Sequence, residues 1–182
     1  MRFLPVIALL VLVSGCTRHD PSSLCERFYS PYPDFVTGRT RTGANAVMLD
    51  AMAHYSQKDY PAAIAGLQRV LERNAGDMTA RLYMASALLA TGDPYKAEMH
   101  LDFLETARGS DYRDQTEWYN ALCWLCEGDT AKAAQQARWI ASRPQTYRKQ
   151  AQELADALSK KEDRASIGRS PPPCLARTLT GA

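Results

Sequence analysis

The sequence lacks a strong charge imbalance and is not enriched in glycine or proline. Its 182 residues carry 22 Lys+Arg against 20 Asp+Glu, so the formal net charge is only +2. So small a charge argues against a dedicated nucleic-acid binder, and we expect no nucleic-acid partner. The ten Gly and ten Pro residues are too few for a wholly disordered chain. The length suits one domain with terminal extensions.

Catalytic and metal-binding motifs are also missing. The three histidines are His19, His54 and His100, and no His-x-x-x-His pair occurs. There is no Gly-rich phosphate-binding loop and no recognisable nucleophile setting. Glu105 and Glu127 are isolated acids rather than a carboxylate pair. We therefore expect no enzyme activity, no cofactor and no metal site.

The longest apolar run is too short to span a membrane. It extends from Phe3 to Val13, directly after Met1 and Arg2. About eleven residues of helix cover roughly half of the hydrocarbon core of a bilayer. A short positive start followed by such a run is typical of a secretory signal peptide, which we assign to residues 1–15.

The apolar run ends in Val13-Ser14-Gly15-Cys16, which resembles the lipobox of bacterial lipoproteins. The resemblance implies cleavage before Cys16 and attachment of a diacylglycerol, such as one carrying palmitate, to its thiol. In that family an Asp after the Cys retains the protein at the inner membrane. This chain has Thr17 there, which favours the outer membrane. The alternative is an ordinary signal peptide in which Cys16 is incidental.

Lipidation of Cys16 would leave four cysteines in an oxidising compartment. Cys25 and Cys174 lie in the two irregular flanks and are candidates for a disulfide; the alternative is that both are free. Cys123 and Cys126 form a C-x-x-C inside a predicted helix, with no strand before it. Packing inside the helix is the favoured interpretation of this pair. Redox or metal-handling use is the alternative.

A self-similar pattern recurs three times in the middle of the chain. Asp59, Asp93 and Asp129 each lie four residues before an Ala. The first and second copies are 34 residues apart, and the second and third are 36 apart. Apolar stripes with helical spacing precede and follow each Asp, and only Ser86 interrupts them. The pattern predicts three helix-turn-helix units, with upstream stripes formed by Met48, Ala51, Met52, Tyr55, Leu82, Ala85, Ser86, Leu89, Trp118, Ala121, Leu122 and Leu125.

The turn residues fit such a unit. Gly92 and Gly128 can adopt the positive φ that ends a first helix, whereas Lys58 replaces glycine in the first copy. The Asp after each of these positions can cap the second helix. Small residues such as Ala51 and Ala63 allow the two helices of a unit to approach closely. Together these features resemble the tetratricopeptide repeat (TPR) over about residues 44–142.

The TPR resemblance implies an all-α fold: an α-solenoid of three TPR-like helix-turn-helix repeats plus a C-terminal capping helix. The cap is predicted at residues 147–160, where Leu154 and Leu158 share an apolar face. The expected organisation is a signal peptide (1–15), a lipidated N-terminus and tether (16–43), a TPR-like domain (44–160) and a flexible tail (161–182). Tether aromatics are candidates to fold back onto the first helix: Phe28, Tyr29, Tyr32 and Phe35.

The resemblance also implies a groove that binds a protein or peptide partner. The expected groove residues lie on the first helix of each repeat: Met48, Met52, Tyr55, Leu82, Ser86, Leu89, Trp118, Leu122 and Leu125, flanked by Asn45, Thr79 and Gln115. A groove of this composition suits an amphipathic helix or an extended apolar segment. The alternative is that the tether covers this stripe, or that the stripe is plain core.

These observations lead to two expectations for function. The first is a non-catalytic, lipid-anchored envelope protein that binds or scaffolds another protein through a TPR groove. The second is a thiol-active redox or metal-handling envelope protein that uses Cys123 and Cys126. The identity of the partner does not follow from the sequence.

Overall fold

The computed structural model describes residues 21–107 and 111–167. The predicted signal peptide, Cys16 and Cys174 lie outside these residues. Within them the regular structure is α-helical and no strand occurs, which confirms the predicted all-α class. No helix in the described part of the chain is long and apolar enough to cross a membrane. The helices are α1 (Pro21–Phe28), α2 (Ala46–Ser56), α3 (Tyr60–Arg73), α4 (Met78–Ala90), α5 (Pro94–Thr106), α6 (Arg113–Glu127), α7 (Thr130–Ala141) and α8 (Arg148–Ile167).

The helices pack sequentially as antiparallel pairs, α2 with α3, α4 with α5 and α6 with α7. Each pair also packs on the next one, and α8 covers α7 at the end of the series. This arrangement is consistent with a small helical repeat array. Helix α8 runs to Ile167 and so extends seven residues past the end of the predicted cap at Lys160. Residues 161–165 (Lys, Glu, Asp, Arg, Ala) include several good helix formers, which favours this extension. Its apolar face is buried at Ala151, Leu154 and Leu158.

The second helix of each pair begins at the predicted aspartate. The carboxylate of Asp59 accepts a hydrogen bond from the backbone N–H of Ala62 at 3.3 Å. In the same way, Asp93 and Asp129 each accept from the backbone N–H three residues later, that of a lysine in both cases. These bonds satisfy backbone donors that have no partner within the helix. The predicted caps are therefore confirmed, and Asp77 caps α4 in the same way.

The three turns share a left-handed residue just before the capping aspartate. Gly92 and Gly128 have φ of 77° and 89°, as predicted, and Lys58 takes the equivalent conformation at φ 62°. A side chain in this region costs about 1–2 kcal/mol per residue, whereas glycine adopts it freely. Lys58 is thus a point of strain in the first turn.

Exchanging residue types at these turns should shift stability in opposite directions. We expect Lys58→Gly to raise the free energy of unfolding by about 1 kcal/mol and Gly92→Ala to lower it by about the same amount. A Cβ at Gly92 would meet no atom within 4 Å, so the loss there is conformational. Urea denaturation of both variants measures these changes. A decrease for Lys58→Gly would contradict this account of the turns.

The first pair owes its close packing to a residue that the repeat pattern does not single out. Ala51 and Ala63 are buried as expected from their small size. The tightest approach, however, is at Gly66 of α3, where an added Cβ would lie 2.6 Å from the Cβ of Ala51. Because real Cβ atoms do not approach so closely, the spacing of α2 and α3 requires glycine at this position.

The N-terminal part of the chain differs most from the predicted tether. Residues 21–28 form helix α1, which packs on α6. Leu24, Tyr32 and Val36 are buried and belong to the same hydrophobic core as the three helix pairs. The stretch expected to be a loose connection is therefore an integral part of the domain from Leu24 onward.

Candidate functional site

Helices α2, α4 and α6 together form a surface that holds a stretch of the chain's own backbone. We call this surface the first-helix face, and the stretch at residues 24–36 the N-terminal segment. After α1 ends at Phe28, residues 29–34 adopt no regular secondary structure. Apart from the N–H of Tyr29, which donates to the carbonyl of Cys25 in α1, their backbone groups need partners outside helix and sheet. Side chains of the first-helix face supply several of these partners.

Ser86 of α4 is at the centre of this surface and is completely buried. Its Oγ accepts a hydrogen bond from the backbone N–H of Tyr32 at 2.9 Å and lies 2.7 Å from the hydroxyl of Tyr55. Tyr55 donates its single proton to the backbone carbonyl of Tyr32 at 2.9 Å. Ser86 must therefore donate to Tyr55, since each hydroxyl has one proton. The result is a closed ring of three hydrogen bonds that holds both backbone groups of Tyr32.

Two more tyrosines bind the backbone on either side of this ring. The hydroxyl of Tyr83 accepts from the N–H of Phe35 at 2.9 Å and donates to the carbonyl of Pro33 at 2.8 Å. The hydroxyl of Tyr119 donates to the carbonyl of Ser30 at 2.8 Å. Burial raises the pKa of Tyr83 to about 12 and also raises the pKa of Tyr119. Both hydroxyls therefore remain protonated donors at any physiological pH.

The side chain of Tyr32 enters an aromatic pocket on the first-helix face. Its ring centroid lies 5.3 Å from that of Tyr83 and 6.3 Å from that of Tyr119. Tilted and edge-to-face pairs at such distances are favourable beyond their buried area. The face thus combines hydrogen bonds to a backbone outside helix and strand with one pocket for an aromatic side chain.

Asp34 fixes the end of the N-terminal segment. Its carboxylate accepts hydrogen bonds from the N–H groups of Val36 and Thr37 at 2.8 and 3.0 Å, and from the hydroxyls of Thr37 and Ser56. Burial raises the pKa of this carboxyl, but the hydrogen bonds outweigh burial and hold its pKa below the ordinary value. The ionised form is therefore favoured by folding.

Stability should accordingly fall as Asp34 is protonated. A depressed pKa contributes stability above the unfolded-state pKa, near 3.9, and that contribution is lost as pH falls through the folded-state pKa. We expect Asp34→Asn to be less stable than the wild type at neutral pH, by under about 1 kcal/mol because the group is partly solvated. The difference should shrink toward pH 3. Chemical denaturation across this pH range measures it, and a constant difference would contradict the assignment.

The cysteines differ from the sequence expectation. Cys25 forms a disulfide with Cys126, 101 residues away. The predicted disulfide between Cys25 and Cys174 is therefore wrong. The reason is the position of α1, which places Cys25 beside the end of α6. Cys123 is a buried free thiol, and burial raises its pKa, with Glu98, Glu127 and Asp102 adding to the effect. A thiol held in its protonated form is a poor nucleophile.

The residues predicted to line a groove are present on the first helices, but they are covered. Met48 is only partly buried, while the other eight are buried: Met52, Tyr55, Leu82, Ser86, Leu89, Trp118, Leu122 and Leu125. Of these, Tyr55 and Ser86 bond directly to the N-terminal segment. Trp118 stacks on Tyr147 at the start of the chain leading into α8, with ring centroids 5.6 Å apart. In this structure these eight residues are therefore covered, as the alternative of a covered or core stripe predicts, and their role in binding a partner stays a prediction.

Tyr83 and Tyr119 were missed by the sequence prediction, although they hold much of the segment. They follow Leu82 and Trp118 by one residue and occupy equivalent positions in the second and third repeats. The recurrence of a tyrosine at this position was the available signal. Because successive residues on a helix point about 100° apart, the apolar stripe identified the helices but not the side that faces the segment.

One part of the first-helix face remains open. A cavity of about 250 Å³ lies at its edge, between the start of α2, the end of α3 and the start of α4. Its lining includes the predicted flanking residues Asn45 and Thr79 together with Met48. The third flanking residue, Gln115, is half-buried near Tyr32.

The described residues show no group of three or more His, Cys, Asp or Glu side chains arranged to hold a metal ion. Comparisons of the chain with protein-family models, with curated proteins and with solved structures find no match. The chemistry of the first-helix face is therefore the main guide to function.

Proposed function

We propose that this protein is a non-catalytic, lipid-anchored protein of the bacterial envelope that binds an extended segment of a partner protein on its first-helix face. The observation that carries the proposal is that this face already holds a polypeptide without regular secondary structure, the chain's own residues 29–36. The TPR-like spacing of the sequence supports the same conclusion, since TPR arrays bind their partners on the first helices.

The hydrogen bonds of the face suit a polypeptide ligand. Ser86, Tyr55, Tyr83 and Tyr119 bind backbone N–H and carbonyl groups, which every protein segment offers. Specificity would come from the aromatic pocket that Tyr32 fills. This division resembles other modes of peptide recognition, in which main-chain hydrogen bonds give affinity and pockets give specificity.

The proposed anchor would keep the face close to the membrane. Only nine residues follow Cys16 up to Cys25. Even fully extended they span about 30 Å. A lipidated Cys16 would therefore hold the first-helix face within reach of proteins in or on the same membrane, with the outer membrane favoured by Thr17.

Photo-cross-linking in cells tests the partner-binding proposal. A photoreactive residue at Met48, beside the open cavity, should capture a specific envelope protein, because an extended partner on α2 would pass this position. The same residue at Gln68, exposed on α3, should not capture that protein. Equal capture at both positions, or capture at neither, would overturn the proposed binding surface.

Membrane fractionation tests the proposed anchor separately. We expect the wild-type protein to sediment with the outer membrane and Cys16→Ala to lose its acyl modification, measured by incorporation of a palmitate analogue. If Cys16→Ala incorporates the analogue as the wild type does, the lipid-anchor proposal fails.

A further inference from the structure

The Cys25–Cys126 disulfide joins the start of the N-terminal segment to the end of the first-helix face. Both cysteines are only half-buried, unlike Cys123, which is fully buried on the same helix. Both residues are therefore partly exposed to a dithiol in solution while the core stays folded. Thiol–disulfide exchange depends on such access.

Residues 29–34 of the N-terminal segment can leave the face without breaking a backbone hydrogen bond within the helix pairs, because the face holds them through side-chain hydroxyls. Residues 29–34 belong to no helix or strand, and no helix of the three pairs contains them. The bonds that would break involve the N–H groups of Tyr32 and Phe35 and the carbonyls of Ser30, Tyr32 and Pro33, and water can replace each partner once the segment is exposed. If the segment left, the hydroxyls of Ser86, Tyr83 and Tyr119 would be free to bond another extended backbone.

The pocket filled by Tyr32 defines what such a replacement must carry. Tyr32 is 8% exposed and lies against the rings of Tyr83 and Tyr119. Phe35, by contrast, is 65% exposed and leaves its side chain largely in solvent. An incoming segment therefore needs one aromatic side chain at the position of Tyr32 and tolerates variation at the position of Phe35.

We propose that the N-terminal segment is an intramolecular ligand that the Cys25–Cys126 disulfide locks on the first-helix face, and that reduction opens the face to an extended partner segment with an aromatic residue in the Tyr32 pocket. This inference rests on the proposed function and adds its regulation and the chemistry of its ligand. In the oxidised protein the tethered segment excludes competitors. In the reduced protein it must compete with them.

The opening step is a thiol–disulfide exchange with a dithiol reductant. A thiolate of the reductant attacks one sulfur of the Cys25–Cys126 bond, forming a mixed disulfide and releasing the other cysteine as a thiolate, which takes up a proton. The second thiol of the reductant then loses its proton, attacks the mixed disulfide and releases the second cysteine. Two electrons pass to the protein, and the reductant leaves as its own disulfide.

Peptide binding to the full chain tests the lock. The probe is a fluorescent peptide with the sequence of residues 27–36, RFYSPYPDFV, and the readout is fluorescence anisotropy. We expect binding to the dithiothreitol-reduced protein at concentrations at least about tenfold lower than to the oxidised protein, because the lock no longer holds the competing segment in place. The double variant Cys25→Ser/Cys126→Ser should behave as the reduced protein does, with or without reductant. A peptide with Ala in place of Tyr32 should bind about tenfold more weakly, because it leaves the aromatic pocket empty.

The controls separate the lock from unfolding and from the proposed function. Circular dichroism must show no greater loss of helix on reduction than the eight residues of α1 account for; a larger loss would itself overturn the lock. Cys123→Ala should keep the redox dependence of the wild type. The lock would also be overturned if the peptide bound the oxidised and reduced protein equally, or bound neither. The same holds if the reduced protein only exchanges N-terminal segments between two copies. If Met48 still captures a partner in cells in those cases, the proposed function stands and the lock alone fails.

Discussion

Reduction of the Cys25–Cys126 disulfide is expected to lower the free energy of unfolding by about 2–5 kcal/mol. The bond closes a loop with a sequence separation of 101 residues, which contains most of the helix pairs. Closing so long a loop restricts the unfolded chain strongly, so the bond stabilises the folded state. Urea denaturation with and without dithiothreitol measures the difference, and Cys25→Ser should reproduce it without reductant.

Cys123→Ala is the matched control for this prediction. Cys123 lies one helical turn from Cys126 but forms no disulfide. Its replacement removes a buried sulfur, yet the variant should lose the same stability on reduction as the wild type. If reduction leaves the stability of the wild type unchanged, or if Cys123→Ala abolishes the effect, then Cys25 and Cys126 are not the stabilising pair.

The second large effect is expected at Ser86. Ser86→Ala should lower the free energy of unfolding by about 2–3 kcal/mol, because it leaves the buried N–H of Tyr32 without an acceptor and removes the donor to Tyr55. The loss should fall mainly on the N-terminal segment. Chemical denaturation gives the size of the effect, and amide exchange of residues 29–36 shows where it acts.

A double-mutant cycle with Tyr55→Phe tests whether the three hydrogen bonds form a ring. Removing the Tyr55 hydroxyl breaks the bond to the Tyr32 carbonyl and the bond from Ser86. Once Ser86 is Ala, part of that loss has already occurred, so the two effects should fall short of additivity by about 1 kcal/mol. Strict additivity would contradict the ring.

Much of the fold was predictable from the sequence because its signals are local. The aspartate caps at Asp59, Asp93 and Asp129 involve atoms three residues away. The left-handed turns at Gly92 and Gly128 depend only on their own backbone. Amphipathic stripes then set which faces the helices bury. Such short-range rules predict the helix pairs without knowledge of the rest of the chain.

The N-terminal segment could not be placed by the same rules, because its contacts are long-range. Tyr32 lies more than fifty residues from Ser86 in the sequence, and no helical or alternating pattern connects them. The aromatics of the segment indicated that it packs somewhere, but the first helix alone was the expected site. The segment instead contacts α2, α4 and α6. The polar Ser86, which interrupted the apolar stripe, marked its central contact.

The disulfide was unpredictable for a related reason. Four cysteines allow three sets of two pairs, and spacing does not choose among them. Helix packing is the sequence interpretation of Cys126 because its C-x-x-C with Cys123 lies inside a predicted helix with no strand before it. In the fold the two cysteines face different surroundings: Cys123 is buried, whereas Cys126 meets Cys25 of α1. Only the docking of α1 on α6 distinguishes them.

Amide hydrogen exchange of the oxidised protein tests most directly whether the N-terminal segment occupies the first-helix face. The N–H groups of Tyr32 and Phe35 donate to Ser86 and Tyr83, so they should exchange as slowly as amides in the middle of α4. The amides of Tyr29 and Val36, which are also hydrogen-bonded, should be protected with them. Exchange of these amides at the rate of an unstructured peptide, with α4 still protected, would contradict the account.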